Sequence, residues 1–520
     1  MFLKIYMKKI LGIELGSTRI KSVLIDENAA VIAQGSFEWE NVLSDGLWTY
    51  SLLDVERGIQ SSFSALASDY LEKFGEKLSE ISSIGVSAMM HGYLAFDMND
   101  NLLVPFRTWR NTNTEQAAKE LTKLFNFNIP MRWSVSHYYQ AILDGEKHVK
   151  DVDFLTTLSG YVHYRLTGRR VLGVGDASGM FPIKNRNYDL DMLASFNELL
   201  SQRGIDTQFE RILPKVLSAG EDAGTLTEDG ALWLDPTGTL QCGALLCAPE
   251  GDAGTGMVAT NSITPRTANV SAGTSAFLMA VLEKDLKSYY EEIDVVTTPH
   301  GAPVAMVHVN NFASEITAWA NLFEQIVTIS GGNMSRGQLF DAMYNSSLDS
   351  DEDIGGLMGY NFIAGEPVVK VAKGIPMLMR TPDGKLSLQN LMKMQIYSAL
   401  GSLAIGCEML AKENVSLDSV CGHGGFFKTA FVGQSAMSAA LGAPVTVMNN
   451  AGEGGAWGIA ILALFAYSGE KDLEVFLNRI FADTEKITVM ADDSERTCFA
   501  RFMDKYKKCL AIERLSEEVL

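Results

Sequence analysis

The chain has 520 residues, of which 47% are hydrophobic and 20% are charged, and its formal net charge is −20 at pH 7. A chain of this length is too long for one ordinary hydrophobic core, so we expect two large domains or about three smaller ones. The negative charge, with no local basic patch, argues against a nucleic-acid partner, and no apolar stretch is long enough to predict a membrane span.

The cysteines favour a reducing compartment. They form no CxxC pair and lie mostly in apolar segments, which is typical of buried free thiols. The six residues are Cys242, Cys247, Cys407, Cys421, Cys498 and Cys509. Neither a disulfide framework nor a zinc site is expected. The apolar run 10–15 is short and ends at a polar turn, so Lys8 and Lys9 do not predict a signal peptide, and Met7 is an alternative first residue. We therefore expect a cytoplasmic protein.

The first predicted element is a hairpin over residues 10–26. Two apolar strands are joined by the small turn Gly16-Ser17-Thr18, and Lys21 follows on the second strand. The backbone N–H groups of such a turn can face an anion, although small polar residues are also ordinary turn material. An amphipathic stretch at 52–74 and an apolar strand near 84–90 follow. This alternation predicts an α/β fold with mixed or parallel sheets and helices on both faces.

A candidate binding segment lies at the end of the strand near 84–90. Met90, His91 and Gly92 come just after it, and side chains at the carboxyl ends of strands line the ligand crevice of open α/β sheets. We expect His91 to hydrogen-bond a hydroxyl group, and the alternative is a loop histidine satisfied by backbone. Further on, the segment 109–111 offers a tryptophan platform and polar donors, or else a tryptophan packed at a domain edge beside a solvated arginine.

A glycine-rich segment at 248–257 carries Asp252. An aspartate in such a segment can be a turn former or the N-cap of a helix. Glu250, two residues earlier, would share its face if the backbone is extended.

The hairpin pattern recurs at 269–280, around Gly273-Thr274-Ser275. Two such hairpins half a chain apart suggest a nucleotide clamped between two related domains, which we place at 1–262 and 263–520. At 420–445 a strand, a glycine turn, a helix and a strand follow, and such a turn lets a flat ring or a phosphate approach the backbone. The segment 453–463 predicts a helix whose Gly and Ala face permits close packing. Plain helix and turn packing remains the alternative for both stretches.

These elements, in this order, resemble the FGGY carbohydrate kinases, members of the actin-like ATPase superfamily. The resemblance extends over nearly the whole chain. It implies two actin-like ATPase (ribonuclease H-like) domains with a cleft between them. It also implies transfer of a phosphoryl group from ATP, with Mg²⁺, to a primary hydroxyl of a small ketose or polyol. D-Xylulose is the expected acceptor, with L-ribulose or another ketose or polyol as alternatives, and a homodimer is an expectation by analogy with the family.

The resemblance also implies roles for individual residues. Asp252 matches the position of the general base, since phosphoryl transfer to an alcohol needs a carboxylate that accepts the hydroxyl proton. Glu250 is its nearest rival. The residues expected to contact the sugar are Met90, His91, Trp109, Arg110, Asn111 and Asp252. Those expected to contact the nucleotide are Gly16, Ser17, Thr18, Lys21, Gly273, Thr274, Ser275, Gly424, Gly425, Phe426 and Lys428.

Several positions depart from the family pattern. Glu14 stands where most members have an aspartate that holds Mg²⁺ through water, and Asn111 stands where many carry an aspartate. Pro367 replaces an arginine, and the helix signature of the family is not recognisable at 391–400. The chain therefore resembles a divergent branch, and a catalytically weak ATP-binding protein with a regulatory role is a further alternative.

Overall fold

The computed structural model describes residues 7–448 and 454–519. The strands are β1 (Ile10–Leu15), β2 (Arg19–Ile25), β3 (Val31–Glu38), β4 (Val42–Ser44), β5 (Leu47–Thr49), β6 (Ser83–Ala88), β7 (Leu94–Phe96), β8 (Phe154–Thr156), β9 (Val171–Gly173), β10 (Ile183–Lys184), β11 (Asn187–Tyr188), β12 (Lys215–Leu217), β13 (Leu245–Leu246), β14 (Glu250–Gly251), β15 (Thr267–Ala272), β16 (Ala276–Val281), β17 (Ile293–Thr297), β18 (Pro303–Val309), β19 (Leu357–Tyr360), β20 (Met377–Arg380), β21 (Ser419–His423), β22 (Val445–Met448) and β23 (Lys486–Val489).

Fifteen α-helices lie among these strands in the described part of the chain. They are α1 (Leu52–Phe74), α2 (Glu115–Phe125), α3 (Ser134–Leu143), α4 (Leu158–Thr167), α5 (Val174–Ala177), α6 (Leu190–Gln202), α7 (Glu228–Leu234), α8 (Asp252–Ala259), α9 (Ser314–Ile329), α10 (Arg336–Ser346), α11 (Leu388–Lys412), α12 (Val432–Leu441), α13 (Gly454–Ser468), α14 (Leu473–Ile480) and α15 (Asp493–Val519). Among the described residues, no helix combines the length and the apolar character that crossing a membrane requires.

The chain forms two units, and neither is a single continuous segment. Unit 1 contains Met1–Thr264, Ser288–Val304 and Glu453–Asp483, and unit 2 contains Pro265–Lys287, Ala305–Gly452 and Thr484–Leu520. This division differs from the expected contiguous domains 1–262 and 263–520, because two later segments pack with the N-terminal part of the chain.

Unit 1 is built around a sheet with the strand order β13-β6-β1-β2-β3, and β14 also pairs with β6. β1, β2 and β3 run antiparallel, whereas β6 is parallel to β1 and to both short strands. Helix α1 begins at the N-cap Ser51, ends at Gly75 in the left-handed region (φ 70°), and packs on β3. The core of this unit is formed by the buried side chains of β1, β2, β6 and α1.

Helix α13 covers β1 and β6 of the same sheet at very short range. A Cβ atom added to Gly12 would lie 2.0 Å from the carbonyl oxygen of Ala456, and one added to Gly85 would lie 2.6 Å from that of Ile459. The predicted Gly and Ala face is therefore present on α13, and glycines on the strands meet it. Glu453, the first residue of the predicted helix, lies outside the described residues.

Unit 2 repeats part of this plan. Its sheet has the order β18-β16-β15-β21-β22-β23. In unit 1, β1 pairs antiparallel with β2 and parallel with the later strand β6. In unit 2, β15 likewise pairs antiparallel with β16 and parallel with the later strand β21. The predicted recurrence of the hairpin is thus seen in two sheets of related topology.

Candidate active site

The first predicted phosphate turn has its carbonyl groups occupied, whereas two of its three N–H groups are open. The carbonyl oxygen of Gly16 accepts from the indole N–H of Trp39 (2.7 Å), and that of Ser17 accepts from the hydroxyl of Tyr50 (2.6 Å). The carbonyl oxygen of Thr18 accepts from the backbone N–H of Trp39 (3.1 Å). The N–H groups of Ser17 and Thr18 have no partner in the part of the chain that the structure describes. The turn can therefore offer two donors to an anion.

In the second predicted phosphate turn, carbonyl groups are likewise occupied and two N–H groups are open. The carbonyl oxygens of Gly273 and Thr274 accept from the backbone N–H groups of Ala313 (3.3 Å) and Phe312 (3.0 Å). Gly273 and Thr274 are exposed, and Ser275 is half-buried. Within the described residues, the N–H groups of Thr274 and Ser275 carry no partner. Unit 2 thus presents a donor turn of the same kind.

Glu14 and Lys21 lie opposite each other on β1 and β2. Burial raises the pKa of the Glu14 carboxyl above its ordinary value, the charge of Lys21 lowers it, and the nearby Asp252 raises it again. The backbone N–H of Ala456, in the first turn of α13, also stabilises the carboxylate. Lys21 therefore partly offsets the charge of Glu14 beside the turn.

Asp252 is the first residue of α8, directly after the short strand β14. Its Oδ1 accepts hydrogen bonds from the backbone N–H of Met90 (3.1 Å) and of Ala253 (3.0 Å). The residue is exposed, yet the protein packed around its carboxyl raises the pKa above the ordinary value, against the effect of these two donors. Asp252 therefore joins the segment after β6 to the glycine-rich segment, and it keeps a carboxylate face open to a ligand.

Glu250, the rival of Asp252, is turned into the protein. It is 1% exposed, and its two oxygens accept from the backbone N–H groups of Gly175 (3.3 Å) and Asp176 (3.0 Å). Glycines leave room for this carboxyl, since Cβ atoms added to Gly173 and Gly175 would lie 2.3 and 2.4 Å from its oxygens. Because both oxygens of Glu250 accept from backbone N–H groups, Glu250 is less accessible to a ligand than Asp252.

Asp176 lies beside Glu250, and the sequence did not predict this contact. It is fully buried, and its Oδ2 accepts from the hydroxyls of Thr157 (2.7 Å) and Ser159, while its Oδ1 has no partner among the described residues. Burial, followed by the charge of neighbouring carboxyls, raises the pKa of Asp176 to about 7 and that of Glu250 to about 8. The two groups therefore hold their protons to a higher pH than ordinary carboxyls do. The glycine-rich run 173–179 was the available signal of this close packing.

His91 follows β6 and adopts a positive φ of 70°, which is uncommon for a residue other than glycine. Its Nδ1 lies 3.3 Å from the carbonyl oxygen of Gly179, so Nδ1 carries the hydrogen and Nε2 is an acceptor. Burial, together with the Arg132 guanidinium, holds the pKa of His91 well below its usual value. The ring stacks on Trp133 with centroids 6.4 Å apart. His91 is thus a neutral group able to accept a hydrogen bond from a hydroxyl.

Arg132 and Asp294 form an ion pair beside this segment, and sequence reasoning missed both. The amide of Asn128 also donates to Asp294 (3.0 Å). Burial raises the pKa of Asp294, while Arg132 lowers it. The pair joins residues far apart in sequence, and no local motif indicated it.

The predicted sugar residues after β7 have different environments. Trp109 is 37% exposed, and Arg110 lies over the ring of Trp48 at 3.9 Å. Asn111 is buried, and its amide bonds the backbone of Trp48 twice: Oδ1 accepts from N–H (2.9 Å), and Nδ2 donates to the carbonyl (2.8 Å). Nδ2 also donates to the carbonyl of Thr108 (3.0 Å). Trp109 and Arg110 are accessible, whereas the amide of Asn111 is engaged by the backbone.

The predicted adenosine turn follows β21. Gly424 has φ 108°, and a Cβ added there would lie 2.3 Å from the carbonyl oxygen of Ala272, so only glycine fits. Gly425 faces open space, and Lys428 is exposed. Phe426 is buried, with its ring centroid 4.9 Å from that of Phe312. Any contact of Phe426 with a nucleotide would therefore use its backbone.

Two family models match the chain. The N-terminal domain of the FGGY family of carbohydrate kinases matches residues 9–235, and the C-terminal domain matches residues 268–467. The chain belongs to the FGGY family of carbohydrate kinases. The family expected from the sequence motifs is thereby confirmed.

Curated relatives of this FGGY protein include two xylulose kinases. That of Staphylococcus xylosus is 23% identical over 237 residues, which are 43% of this chain and 45% of the relative. That of Bacillus subtilis (strain 168) is 23% identical over 300 residues, which are 54% of this chain and 55% of the relative. The chain therefore aligns with about half the length of these relatives.

Solved structures share the fold over almost the full chain. A ligand-bound xylulose kinase from Lactobacillus acidophilus has a TM-score of 0.79 at 16% identity, covering 97% of this chain and 98% of that one. A gluconate kinase from the same organism has a TM-score of 0.79 at 17% identity, covering 98% of both chains. At these identities the likeness concerns the fold alone, and it confirms the expected α/β, actin-like ATPase fold.

Proposed function

We propose that the protein transfers the γ-phosphoryl group of ATP to a primary hydroxyl of a small neutral ketose or polyol, with D-xylulose as the first candidate. The observation that carries this proposal is the position of Asp252. Asp252 directly follows the short strand β14, its carboxylate is fixed by the N–H of Met90, and it keeps a face open beside the His91 segment. FGGY membership and the xylulose kinases among the relatives support the reaction class.

In the proposed reaction each residue has a limited task. Asp252 accepts the proton of the acceptor hydroxyl as its oxygen bonds to the γ-phosphorus, and ADP leaves with the electrons of the broken P–O bond. The open N–H groups of Ser17 and Thr18 in unit 1, and of Thr274 and Ser275 in unit 2, are the proposed donors to phosphate oxygens. The backbone around Gly424 and Gly425, with Lys428, binds the rest of the nucleotide.

Glu14 is the proposed residue for Mg²⁺. No cluster of three or more His, Cys, Asp or Glu residues suited to direct coordination occurs in the described ranges, 7–448 and 454–519. Hydrated Mg²⁺ needs only one or two carboxylates in addition to nucleotide phosphates, and Glu14 lies near enough to Asp252 for their charges to interact. Bound there, the ion would neutralise charge on the phosphates.

The charges around His91 favour a neutral acceptor over a sugar acid. Arg107 and Arg132, whose backbones adjoin the Met90–Gly92 segment, are already paired with Glu146 and Asp294. A carboxylate on the substrate would therefore be repelled by Asp252. Neither Arg107 nor Arg132 is unpaired to balance its charge. The neutral His91 instead suits a hydroxyl donor. L-Ribulose and other ketoses or polyols remain the next candidates for the same reason.

We also propose a cytoplasmic location and a homodimer. The described cysteines are all free thiols, which agrees with a cytoplasmic location. A homodimer is proposed by family analogy alone. The second candidate function is a weak ATPase or ATP-binding regulator, which Glu14 in place of aspartate favours.

A screen of acceptors tests the proposal. ADP release is measured with ATP and Mg²⁺ over neutral pentuloses, tetruloses and polyols, with gluconate as the charged comparison, and mass spectrometry identifies the phosphorylated product. We expect a neutral ketose or polyol to give the highest kcat/KM. ATP binding without any phosphorylated sugar would support the regulatory alternative, and gluconate as the best acceptor would contradict the charge argument.

A further inference from the structure

Two aromatic side chains hold the carbonyl side of the Gly16–Thr18 turn. The indole N–H of Trp39 donates to the carbonyl of Gly16, and the hydroxyl of Tyr50 donates to that of Ser17. Trp39 directly follows β3, and Tyr50 directly follows β5. Neither residue belongs to the motifs that predicted the turn.

The two rings form a rigid support. Their centroids are 4.1 Å apart with an interplanar angle of 27°, and Trp39 and Tyr50 are 6% and 2% exposed. Burial raises the pKa of Tyr50 to about 12, so its hydroxyl remains a donor at neutral pH. Because the rings are packed, the positions of both donors are fixed before any ligand arrives.

Because the peptide bond is planar, fixing the carbonyl groups of Gly16 and Ser17 also fixes the direction of the next N–H groups. In a trans peptide the C=O and the N–H of the same plane point in opposite directions. The carbonyl of Gly16 shares its plane with the N–H of Ser17, and the carbonyl of Ser17 shares its plane with the N–H of Thr18. Fixing the two carbonyls towards Trp39 and Tyr50 therefore directs these two N–H groups away from the protein, and they are the groups without partners.

The second turn reaches the same arrangement without side chains. There the backbone N–H groups of Ala313 and Phe312 bind the carbonyls of Gly273 and Thr274. A backbone donor cannot be removed by an ordinary substitution, whereas an indole or a phenol can. Unit 1 thus offers a direct test that unit 2 does not.

We propose that Trp39 and Tyr50 are positioning residues that aim the N–H groups of Ser17 and Thr18 at a phosphate of the nucleotide. This inference rests on the proposed function, since it takes the turn as a phosphate site. Neither aromatic residue needs to touch the nucleotide. Their effect should therefore concern phosphate-bearing ligands and leave recognition of adenosine unchanged.

The experiment compares ADP and adenosine binding by calorimetry in wild type, Tyr50→Phe and Trp39→Phe. Tyr50→Phe removes one hydroxyl and keeps the stacked ring. We expect the Kd for ADP to rise about 5- to 10-fold, as for the loss of one hydrogen bond, and the Kd for adenosine to stay within about 2-fold. Trp39→Phe, which removes the indole donor, should act in the same direction, and it provides the test if Tyr50→Phe does not fold.

The matched control is Tyr164→Phe. The hydroxyl of Tyr164 donates to Asp100 at 2.7 Å in the same unit, and this substitution should change neither Kd. A rise in Kd that is equal for ADP and adenosine, or no rise for either, would overturn the positioning role. Wild type that binds ADP but phosphorylates no sugar would refute the proposed function while leaving the positioning result valid. Wild type that binds no ADP would overturn both.

Discussion

The Oδ1 of Asp252 accepts a hydrogen bond of 3.1 Å from the backbone N–H of Met90. The two residues are far apart in sequence, but β14 and β6 pair in parallel, so their carboxyl ends meet at one edge of the sheet. This contact brings the proposed base next to the proposed sugar segment. It also fixes the carboxylate before a substrate binds.

Asp252→Asn should abolish most turnover. The amide keeps the size of the side chain and can still accept from the N–H of Met90, but it cannot accept the proton of a hydroxyl. We expect kcat on the best acceptor to fall by roughly 10²–10⁴-fold with nucleotide affinity nearly unchanged. Asp229→Asn, an exposed change in α7, serves as control. Near-wild-type turnover by folded Asp252→Asn would remove Asp252 from its role.

Asp176→Asn should change the pH dependence of stability. The folded protein keeps a proton on Asp176 up to about pH 7, whereas the unfolded chain releases it near the ordinary value of 3.8. Wild type therefore loses stability relative to the asparagine variant as the pH rises from about 4 to 7, and the difference stays constant above that range. We expect the Tm difference to move by roughly 2 °C or more in favour of the variant between these pH values. A difference independent of pH would show that folding does not raise the pKa of Asp176.

Asn111→Asp should destabilise the protein. The Nδ2 of Asn111 donates to the carbonyls of Trp48 and Thr108, and a carboxylate oxygen would face those carbonyls without a hydrogen. A loss of about 1–3 kcal/mol is expected, measured by urea unfolding. Asn113→Asp, an exposed neighbour, is the control. Unchanged stability with a higher KM for the acceptor would instead make Asn111 a direct sugar ligand.

Gly12→Ala should prevent close packing of α13. The added methyl group would overlap the carbonyl oxygen of Ala456, which belongs to the backbone of a buried helix. We expect destabilisation of at least about 3 kcal/mol, or loss of soluble protein. Gly337→Ala in α10, where nothing lies within 4 Å of an added Cβ, should be neutral or slightly stabilising. Equal behaviour of the two variants in thermal unfolding would contradict the short contact.

The sequence predicted features that local chemistry determines. The two turns, the strand before Met90 and the glycine-rich segment around Asp252 are each visible within about ten residues, since turn chemistry and strand patterns are local. Their recurrence indicated two related sheets. The sequence alone does not distinguish an N-cap from a base at Asp252. In the structure, Asp252 is the first residue of α8 rather than its cap.

The remaining parts of the site depend on contacts between distant segments. Asp176 reaches Glu250 only because α5 packs beside β14, and Arg132 finds its partner Asp294 in a segment that joins unit 1 from beyond residue 287. The burial of Phe426 likewise follows from packing, since an aromatic residue after a glycine turn has the same sequence pattern whether it is exposed or buried. Single-sequence reasoning has no measure of such pairings.

The contribution of α13 to the first sheet has a consequence for synthesis on the ribosome. The strands that contain Gly12 and Gly85 emerge early, but the helix that covers them begins only at Gly454. At 5–20 residues per second, the interval between Thr264 and that helix lasts on the order of ten to forty seconds. During this time the nascent chain exposes an apolar sheet face that α13 does not yet cover. We expect a chaperone that shields this face to raise the yield of active protein.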